Sequence, residues 1–526
     1  MTAKSQTEFL RGDTPAISSD WSDQGPAWLR STGLYLLVAI GLLGSLMLFY
    51  GSYYSIHTDL AGGAMSGRLA VSLGQSFADY SIYFPPAERE WFSLAVRLSE
   101  LTGLRLDLMV IAMTGVAVLG SCGLAYHIRR ETVGASALFL IGSIAVLTLL
   151  PIVFKNVFGL REHLVMLGLW PYLVLRLSDP DNTKIGWKIR LLVGLMLGAA
   201  LLMKYLYALV VLLVEFADAA VQRRPLALFR IENLLSGAIV ALYLLLWLGI
   251  DPAQRAAIAA MVSAIDANLA PQWAIARQAA IAMALSIFLI VLSRLNRLPL
   301  RETAIGFALV VGAVAVAWIQ SRWYSHHLFP VTVAYVAWWW MSHSGLRLIW
   351  QVALALVIAR PVVGEFLTTE RYQQSVMALD AAMEEGGISV RGKRVGMLTM
   401  HPSPFNQYLV AQQAERWNAT VNNAYVAAEL QAFDLPENAG KPLPPVTLKE
   451  PGRQMLHDEM LRLWEDMPPD VLILDRSTSW PLRYLKVDWN DIFSHDERFQ
   501  AVLKQYRPVF RHKGETLDFT VYERAN

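Results

Sequence analysis

Cysteine and charge are both scarce in this 526-residue sequence. Its single cysteine, Cys122, excludes disulfides within the chain and cysteine metal clusters. Charged residues make up only 17% of the chain, and the 45 Lys and Arg nearly balance the 43 Asp and Glu. This balance argues against a nucleic-acid partner. The sequence also lacks internal repeats.

The sequence is rich in apolar residues, which reach 55% with a mean hydropathy of +0.38. No ordinary soluble domain has this composition, so we predict a polytopic α-helical membrane protein. A spanning helix needs about 20 apolar residues. By that criterion about eleven predicted spans begin near Thr32, Leu106, Ala135, Leu164, Leu191, Tyr205, Leu234, Ala279, Ala304, Leu328 and Leu346.

Basic residues predict the orientation of the spans. Residues 1–30 form a polar tail, and segments rich in Lys and Arg then alternate with segments that have few. The positive-inside rule places the amino terminus in the cytoplasm, and an odd number of spans places the carboxyl terminus outside. We predict a transmembrane domain over residues 31–361, with a first outer loop at 56–105 that carries interfacial amphipathic helices.

Beyond about Arg360 the apolar runs shorten and charges become frequent. Residues 362–526 therefore read as a soluble α/β domain on the outer, periplasmic or extracellular, side. No glycine-rich fingerprint follows its early strands, so we do not predict a nucleotide site. The predicted strands are Arg394–Met400, Val471–Asp475, Tyr506–His512 and Leu517–Glu523, with helices at Arg371–Glu385 and Asn406–Trp417.

Two carboxylates follow the first predicted span. Asp59 stands just beyond its apolar end, and Asp79 comes later in the same outer loop. Carboxylates so close to hydrocarbon are costly and usually mark a substrate path or a reactive centre. We predict that Asp59 is a general base. The alternative is that either Asp only caps a helix or lies in solvent.

Further polar residues gather at the outward ends of the predicted spans. Bases there would neutralise an anionic lipid headgroup, and Arg can do so with paired hydrogen bonds. Taken singly, each could equally be a snorkelling or structural residue. Lys204, which is embedded in apolar sequence, needs either a buried partner or a position at an outer turn. The candidates are Lys155, Arg161, Glu162, His163, Lys204, Arg322, Tyr324, His326 and His327.

These residues resemble motifs of the bacterial GT-C superfamily of glycosyltransferases. The first outer loop of that family is similar to the pattern of Asp59, Gly74, Asp79, Pro85 and Pro86. GLREHL, followed by Pro171-Tyr172 and Arg176, resembles the start of the fourth span, and the Lys204 and Glu215 pair and RWYSHHLFP also look like family elements. Relatives show Lys and one Tyr-His pair where this chain has Arg322 and two histidines.

The resemblance implies a multi-pass enzyme of the bacterial inner membrane. Such an enzyme transfers one sugar, with inversion, from a polyprenyl-phosphate donor to the hydroxyl of a cell-envelope glycan or lipid acceptor. Asp59 would be the base, and Asp79 would position the acceptor or a divalent cation. Arg161, His163, Lys204, Arg322 and His327 would hold the phosphate. Some members of the family use a divalent metal and others do not, and oxygen ligands from Asp59 and Asp79 could hold Mg²⁺ or Mn²⁺ here.

Two other functions remain open at this point. A transporter or flippase for a lipid-linked anion would also gather basic residues, although such proteins tend to show inverted repeats and helices broken at the membrane midplane. A non-enzymatic envelope docking protein would not need Asp59 and GLREHL together.

Overall fold

The computed structural model describes residues 32–52, 56–74, 86–135, 137–154, 156–250, 272–295, 299–320, 325–341, 373–399, 403–417, 461–477, 488–514 and 516–525. The described part up to residue 341 is helical, and a small mixed sheet lies in the carboxyl-terminal part. The predicted fold class, a helical domain with apolar spans followed by an α/β domain, is confirmed.

The helices of the first part differ in length but follow one another closely. They are α1 (Thr32–Ser52), α2 (Thr58–Leu73), α3 (Pro86–Thr102), α4 (Leu106–Thr132), α5 (Ala137–Val153), α6 (Arg161–Ser178), α7 (Trp187–Met203), α8 (Ala208–Gln222), α9 (Ile231–Ile250), α10 (Gln272–Leu295), α11 (Leu300–Gln320) and α12 (Ser325–Met341). Short 3₁₀ turns at Tyr205–Tyr207 and Pro225–Phe229 flank α8.

The predicted spans coincide with these helices, from the one near Thr32 to the one near Leu328. The span predicted near Leu346 lies outside the described residues. By length and apolar composition, three helical stretches of the described part can cross a membrane: Leu106–Thr132, Tyr205–Gln222 and Leu300–Gln320. Shorter apolar helices accompany them, so the total of about eleven spans stays a prediction.

Helix α2, in the predicted outer loop, is largely buried against its neighbours, and its place at the membrane interface stays a prediction. Its residues from Leu60 to Met65 are all buried. A Cβ atom at Gly67 would lie 2.6 Å from the Cβ of Phe92, and one at Gly63 would meet the Phe92 ring. These two glycines, four residues apart, therefore let α3 approach the backbone of α2, as small residues do wherever two helices cross closely.

A buried ionic network joins the helix ends opposite to α2. Arg176, at the end of α6, is fully buried and bonds to Glu215 and Glu232. The network pairs four arginines with four carboxylates, so its formal charge is zero, and it lies where the sequence predicts the cytoplasmic side. Its members are Arg176, Arg190, Arg230, Arg301, Asp179, Glu215, Asp218 and Glu232.

The carboxyl-terminal domain contains a five-stranded sheet with the order β2-β1-β3-β5-β4. Its strands are β1 (Arg394–Leu398), β2 (Glu415–Arg416), β3 (Val471–Asp475), β4 (Tyr506–Lys513) and β5 (Asp518–Arg524). β1 runs parallel to β2 and β3, and β5 runs antiparallel to β3 and β4. The four predicted strands are confirmed: β3 matches at both ends, and the other three differ by one or two residues at their ends.

The described helical residues around this sheet are α13 (373–385), α14 (Phe405–Ala411), α15 (461–466), α16 (Trp489–Ile492) and α17 (Glu497–Leu503). The helix predicted over Asn406–Trp417 is wrong in its second half. Gln413 has a φ of 56°, which ends the helical path. Glu415 and Arg416 then extend and pair with β1, an edge that local sequence does not indicate.

Candidate active site

Asp59 lies in the first turn of α2, which His57 caps. The His57 Nδ1 atom accepts a hydrogen bond of 3.1 Å from the Asp59 backbone N–H. The same nitrogen is 3.7 Å from the Asp59 carboxylate. With 54% of its side chain exposed, Asp59 is available to a substrate rather than consumed by an internal contact. Its place as the second helical residue also favours a negative charge there.

Two cations of this region, Arg161 and Lys204, each already have a carboxylate partner. Arg161 Nη1, in the first turn of α6, bonds to Glu88 Oε2 at 3.1 Å, and the arginine side chain is 40% exposed. Lys204, just after α7, pairs with the buried Glu162. Lys204 therefore lies at a turn and also has a carboxylate partner. These are the two positions that its sequence predicted as alternatives. Burial raises the pKa of Glu88, which lies in the predicted outer loop.

Two histidines at the start of α12 connect Asp59 to Glu162. His326 Nδ1 is 4.0 Å from the Asp59 carboxylate, and His327 Nε2 is 4.0 Å from the Glu162 carboxylate. The two imidazole rings are nearly perpendicular, with centroids 4.3 Å apart. The predicted residues Asp59, Glu162, His326 and His327 are therefore in one row.

A small cavity of about 30 Å³, partly open to solvent, adjoins this row. Asp59, Glu88, Arg161, Glu162 and His326 supply its polar lining. Leu60, Trp91, Phe92, Leu160, Leu164 and Met203 supply apolar walls, and Gly159 completes the lining. A polar centre with apolar walls suits a ligand that has a charged group and an apolar part.

His163 occupies a different position from the one predicted for it. Its side chain is fully buried, its Nδ1 accepts a 3.0 Å hydrogen bond from the Gly159 N–H, and its Nε2 is 2.8 Å from the Leu147 carbonyl oxygen. Because Nδ1 accepts, Nε2 must carry the proton and donate it. Both nitrogens are engaged within the chain, so this geometry argues against His163 as a phosphate ligand. It fixes the turn that places Arg161 instead.

Lys204 and Glu215, which were quoted together as family elements, lie in different clusters. Glu215 accepts hydrogen bonds from Tyr172, at 2.5 Å, and from Arg176, both in the ionic network at the other end of α6. Glu162 and Arg176 are fourteen residues apart on this helix, which corresponds to about 20 Å. Tyr172 and Arg176, which follow GLREHL in the sequence, therefore belong to the network, whereas Arg161 and Glu162 of GLREHL itself belong to the site.

Four predicted site residues lie outside the described part of the chain: Asp79, Lys155, Arg322 and Tyr324. Their roles stay predictions. Two described residues were missed by the sequence reasoning, His57 and Glu88. His57 stands two residues before Asp59, and Glu88 follows the Pro85-Pro86 pair. Their closeness in sequence to Asp59 and to the Pro85-Pro86 pair is the signal that could have identified them.

The row of side chains includes a donor set for a metal ion. His57, Asp59 and His326 each offer one ligand atom, and these atoms lie within 4.8 Å of one another. Glu162, His326 and His327 form a second such group, but Lys204 already neutralises Glu162. The first group has two imidazoles and one carboxylate, whereas Mg²⁺ prefers oxygen ligands and imidazole suits Zn²⁺ and other transition metals.

Comparisons with known proteins find solved structures that are similar to this chain. Among them is the crystal structure of ArnT from Cupriavidus metallidurans bound to undecaprenyl phosphate, which matches over 94% of this chain and 98% of that one, with 12% identity and a TM-score of 0.49. No family model and no curated protein matches the chain.

Proposed function

We propose that this protein is an inverting membrane glycosyltransferase of GT-C type. It would move one sugar from a polyprenyl-phosphate donor to a hydroxyl of a cell-envelope glycan or lipid, at the outer face of a bacterial inner membrane. The observation that carries the proposal is the shared cavity, in which an accessible carboxylate, Asp59, faces an arginine and a histidine between apolar walls.

In this mechanism Asp59 takes the proton of the acceptor hydroxyl as its oxygen attacks the anomeric carbon. The bond from that carbon to the phosphate oxygen breaks, and its electron pair leaves with the polyprenyl phosphate. A single displacement inverts the anomeric configuration. A base positioned in this way contributes about 10²- to 10⁴-fold to the rate.

The departing phosphate needs positive charge for its stabilisation. The described side chains around the cavity supply no excess of positive charge over negative charge. Arg161 lines the cavity together with the carboxyl groups of Asp59, Glu88 and Glu162, and Lys204 pairs with Glu162. When all three carboxyl groups are ionised they outnumber the two fixed cations. Arg161 is the cation of the pair that solvent reaches best, so it is the residue proposed to contact the phosphate.

A divalent cation at His57, Asp59 and His326 would reverse this shortage of positive charge. Such an ion supplies electrostatic stabilisation of a developing phosphate charge. Between the two ions expected from the sequence, the mixed nitrogen and oxygen donors favour Mn²⁺ over Mg²⁺, and they also admit Zn²⁺.

The test of the base is Asp59→Asn in a purified assay with polyprenyl-phosphate sugars. We expect the transfer rate to fall at least about 100-fold, with donor binding and expression retained. Asp181→Asn is the matched control, because Asp181 is an exposed carboxylate paired with Arg224 at the network end. An Asp59→Asn protein as active as this control would reject the assignment.

The metal proposal has its own test. Purified protein stripped with a chelator should regain activity with Mn²⁺ or Zn²⁺ more than with Mg²⁺, and His57→Ala should lower the bound metal measured by mass spectrometry. Unchanged metal content in His57→Ala, together with full activity in chelator, would remove the ion from the mechanism. A labelled lipid that crosses liposomes chemically unaltered would instead favour a transporter.

A further inference from the structure

The carboxyl-terminal domain is bonded to α2 directly beside Asp59. Asn406 Nδ2, in α14, donates a hydrogen bond of 3.4 Å to the carbonyl oxygen of Thr58, the first residue of α2. Farther along α2, Arg68 donates one of 3.1 Å to the Ala414 carbonyl oxygen. The domain therefore holds both the start and the later part of this helix.

The orientation of the Asn406 amide is fixed by a third residue. Arg416 Nη1 donates a 2.8 Å hydrogen bond to Asn406 Oδ1. A guanidinium has no acceptor and a carbonyl oxygen has no hydrogen, so only one orientation of the amide satisfies both neighbours. Asn406 is 1% exposed and Arg416 is 4% exposed, so water does not readily replace either contact.

The contact at Thr58 acts on the turn that carries the candidate base. In the same turn, the Ala61 N–H bonds to the His57 carbonyl oxygen at 2.9 Å, and His57 caps the Asp59 N–H. The Asp59 side chain is attached one residue beyond Thr58, so a movement of Thr58 moves the carboxylate relative to His326 and the cavity. A misplacement of about 1 Å at a reacting group can cost about 100-fold in rate.

We propose that Asn406, aligned by Arg416, is a positioning residue that holds the first turn of α2 and thereby sets the place of Asp59. The outer domain then takes part in catalysis through the backbone of α2 without contacting the substrate. This inference rests on the proposed function, and it assigns the domain a task within that function.

The test is Asn406→Asp in the full-length protein. The substituted side chain has the same shape as that of asparagine and gains an ion pair with Arg416. It loses the N–H donor toward Thr58, however, and places an oxygen against the Thr58 carbonyl oxygen. We expect kcat to fall about 10- to 100-fold, while KM for the donor stays within about two-fold, because Arg161 and Lys204 are untouched. Hydrogen exchange of residues 57–65 should accelerate.

Gln412→Glu is the matched control, since the Gln412 amide bonds to Asp380 within the domain at 3.2 Å. It should leave kcat and exchange unchanged. If Asn406→Asp unfolds the domain, Arg416→Met is the test to use instead. In that variant the Asn406 amide loses the bond that aligns it, so kcat should fall severalfold while KM for the donor stays unchanged. Wild-type kcat and exchange in these variants would overturn the inference.

The same experiment separates this inference from the proposed function. An inactive wild-type enzyme, or an active Asp59→Asn protein, refutes the function. In that case the exchange of residues 57–65 alone decides whether Asn406 holds the turn. An active wild type with an inactive Asp59→Asn protein and an unaffected Asn406→Asp protein refutes only the positioning role.

Discussion

The buried ionic network gives the sharpest prediction about stability. Arg176 is fully buried and bonds to two carboxylates, those of Glu215 and Glu232. Replacing it with methionine fills similar space but leaves both acids without this partner. Breaking a buried ion pair on one side typically costs about 3–5 kcal/mol.

The structure places the expected cost at the lower end of that range. After Arg176→Met, Glu232 keeps a 3.1 Å contact with Arg190, and Glu215 keeps Tyr172 at 2.5 Å and Arg230 at 3.5 Å. We therefore expect a loss of about 3 kcal/mol in the free energy of unfolding. Adding Glu215→Gln restores the charge balance and should recover part of this loss.

The assay is reversible unfolding in mixed detergent, followed by tryptophan fluorescence. Arg224→Met is the control, because the Arg224 and Asp181 side chains are about 60% exposed. Exposed pairs contribute about 0–1 kcal/mol and weaken with salt, whereas the Arg176 effect should not change with salt. Equal losses in Arg176→Met and Arg224→Met, or a double variant less stable than Arg176→Met, would refute this reasoning.

Two further predictions concern the sheet and the contact between α2 and α3. Burial raises the pKa of Asp475, which accepts a 2.6 Å hydrogen bond from Thr399, from 3.8 to about 7. Its folded pKa exceeds its unfolded pKa, so the stability of the domain should fall by about 4 kcal/mol as the pH rises from about 4 to about 7, and then level off. Hydrogen exchange of β3 at pH 5 and pH 8, corrected for intrinsic exchange rates, measures this loss of stability. Asp475→Asn should abolish the difference in stability between the two pH values. If the variant keeps that difference, Asp475 is not its source. Gly67→Val should destabilise the protein by at least about 1–3 kcal/mol, because its Cβ would meet the Phe92 backbone at 2.7 Å. Gly44→Ala, in α1 with open space around it, should have no such cost, and a tolerated Gly67→Val would contradict the close packing.

Some parts of the site followed from local sequence. Asp59 was found because a carboxylate next to a hydrophobic run is costly, and that argument needs no neighbours. The histidines at the start of α12 and the basic residue Arg161 were found because polar groups at helix ends are conspicuous in an apolar chain. The helices and four strands followed from hydrophobic periodicity for the same reason.

Other parts depended on contacts between distant segments. The sequence predicts either a buried partner or an outer turn for Lys204 and does not name the partner, which the structure shows to be Glu162. His163 looks like a ligand in the motif, but Leu147 and Gly159 take its two nitrogens.

The sequence by itself determined that this is an apolar helical protein with an α/β domain after its helices, and that acids and bases stand at the ends of those helices. Hydrophobic periodicity and the cost of charge near hydrocarbon are local properties, and a single chain displays them. Only the tertiary structure decided which acid faces which base, that α2 is buried against Phe92, and that Asn406 reaches Thr58. Those pairings join residues up to 348 positions apart, and packing geometry, which no local pattern encodes, selects them.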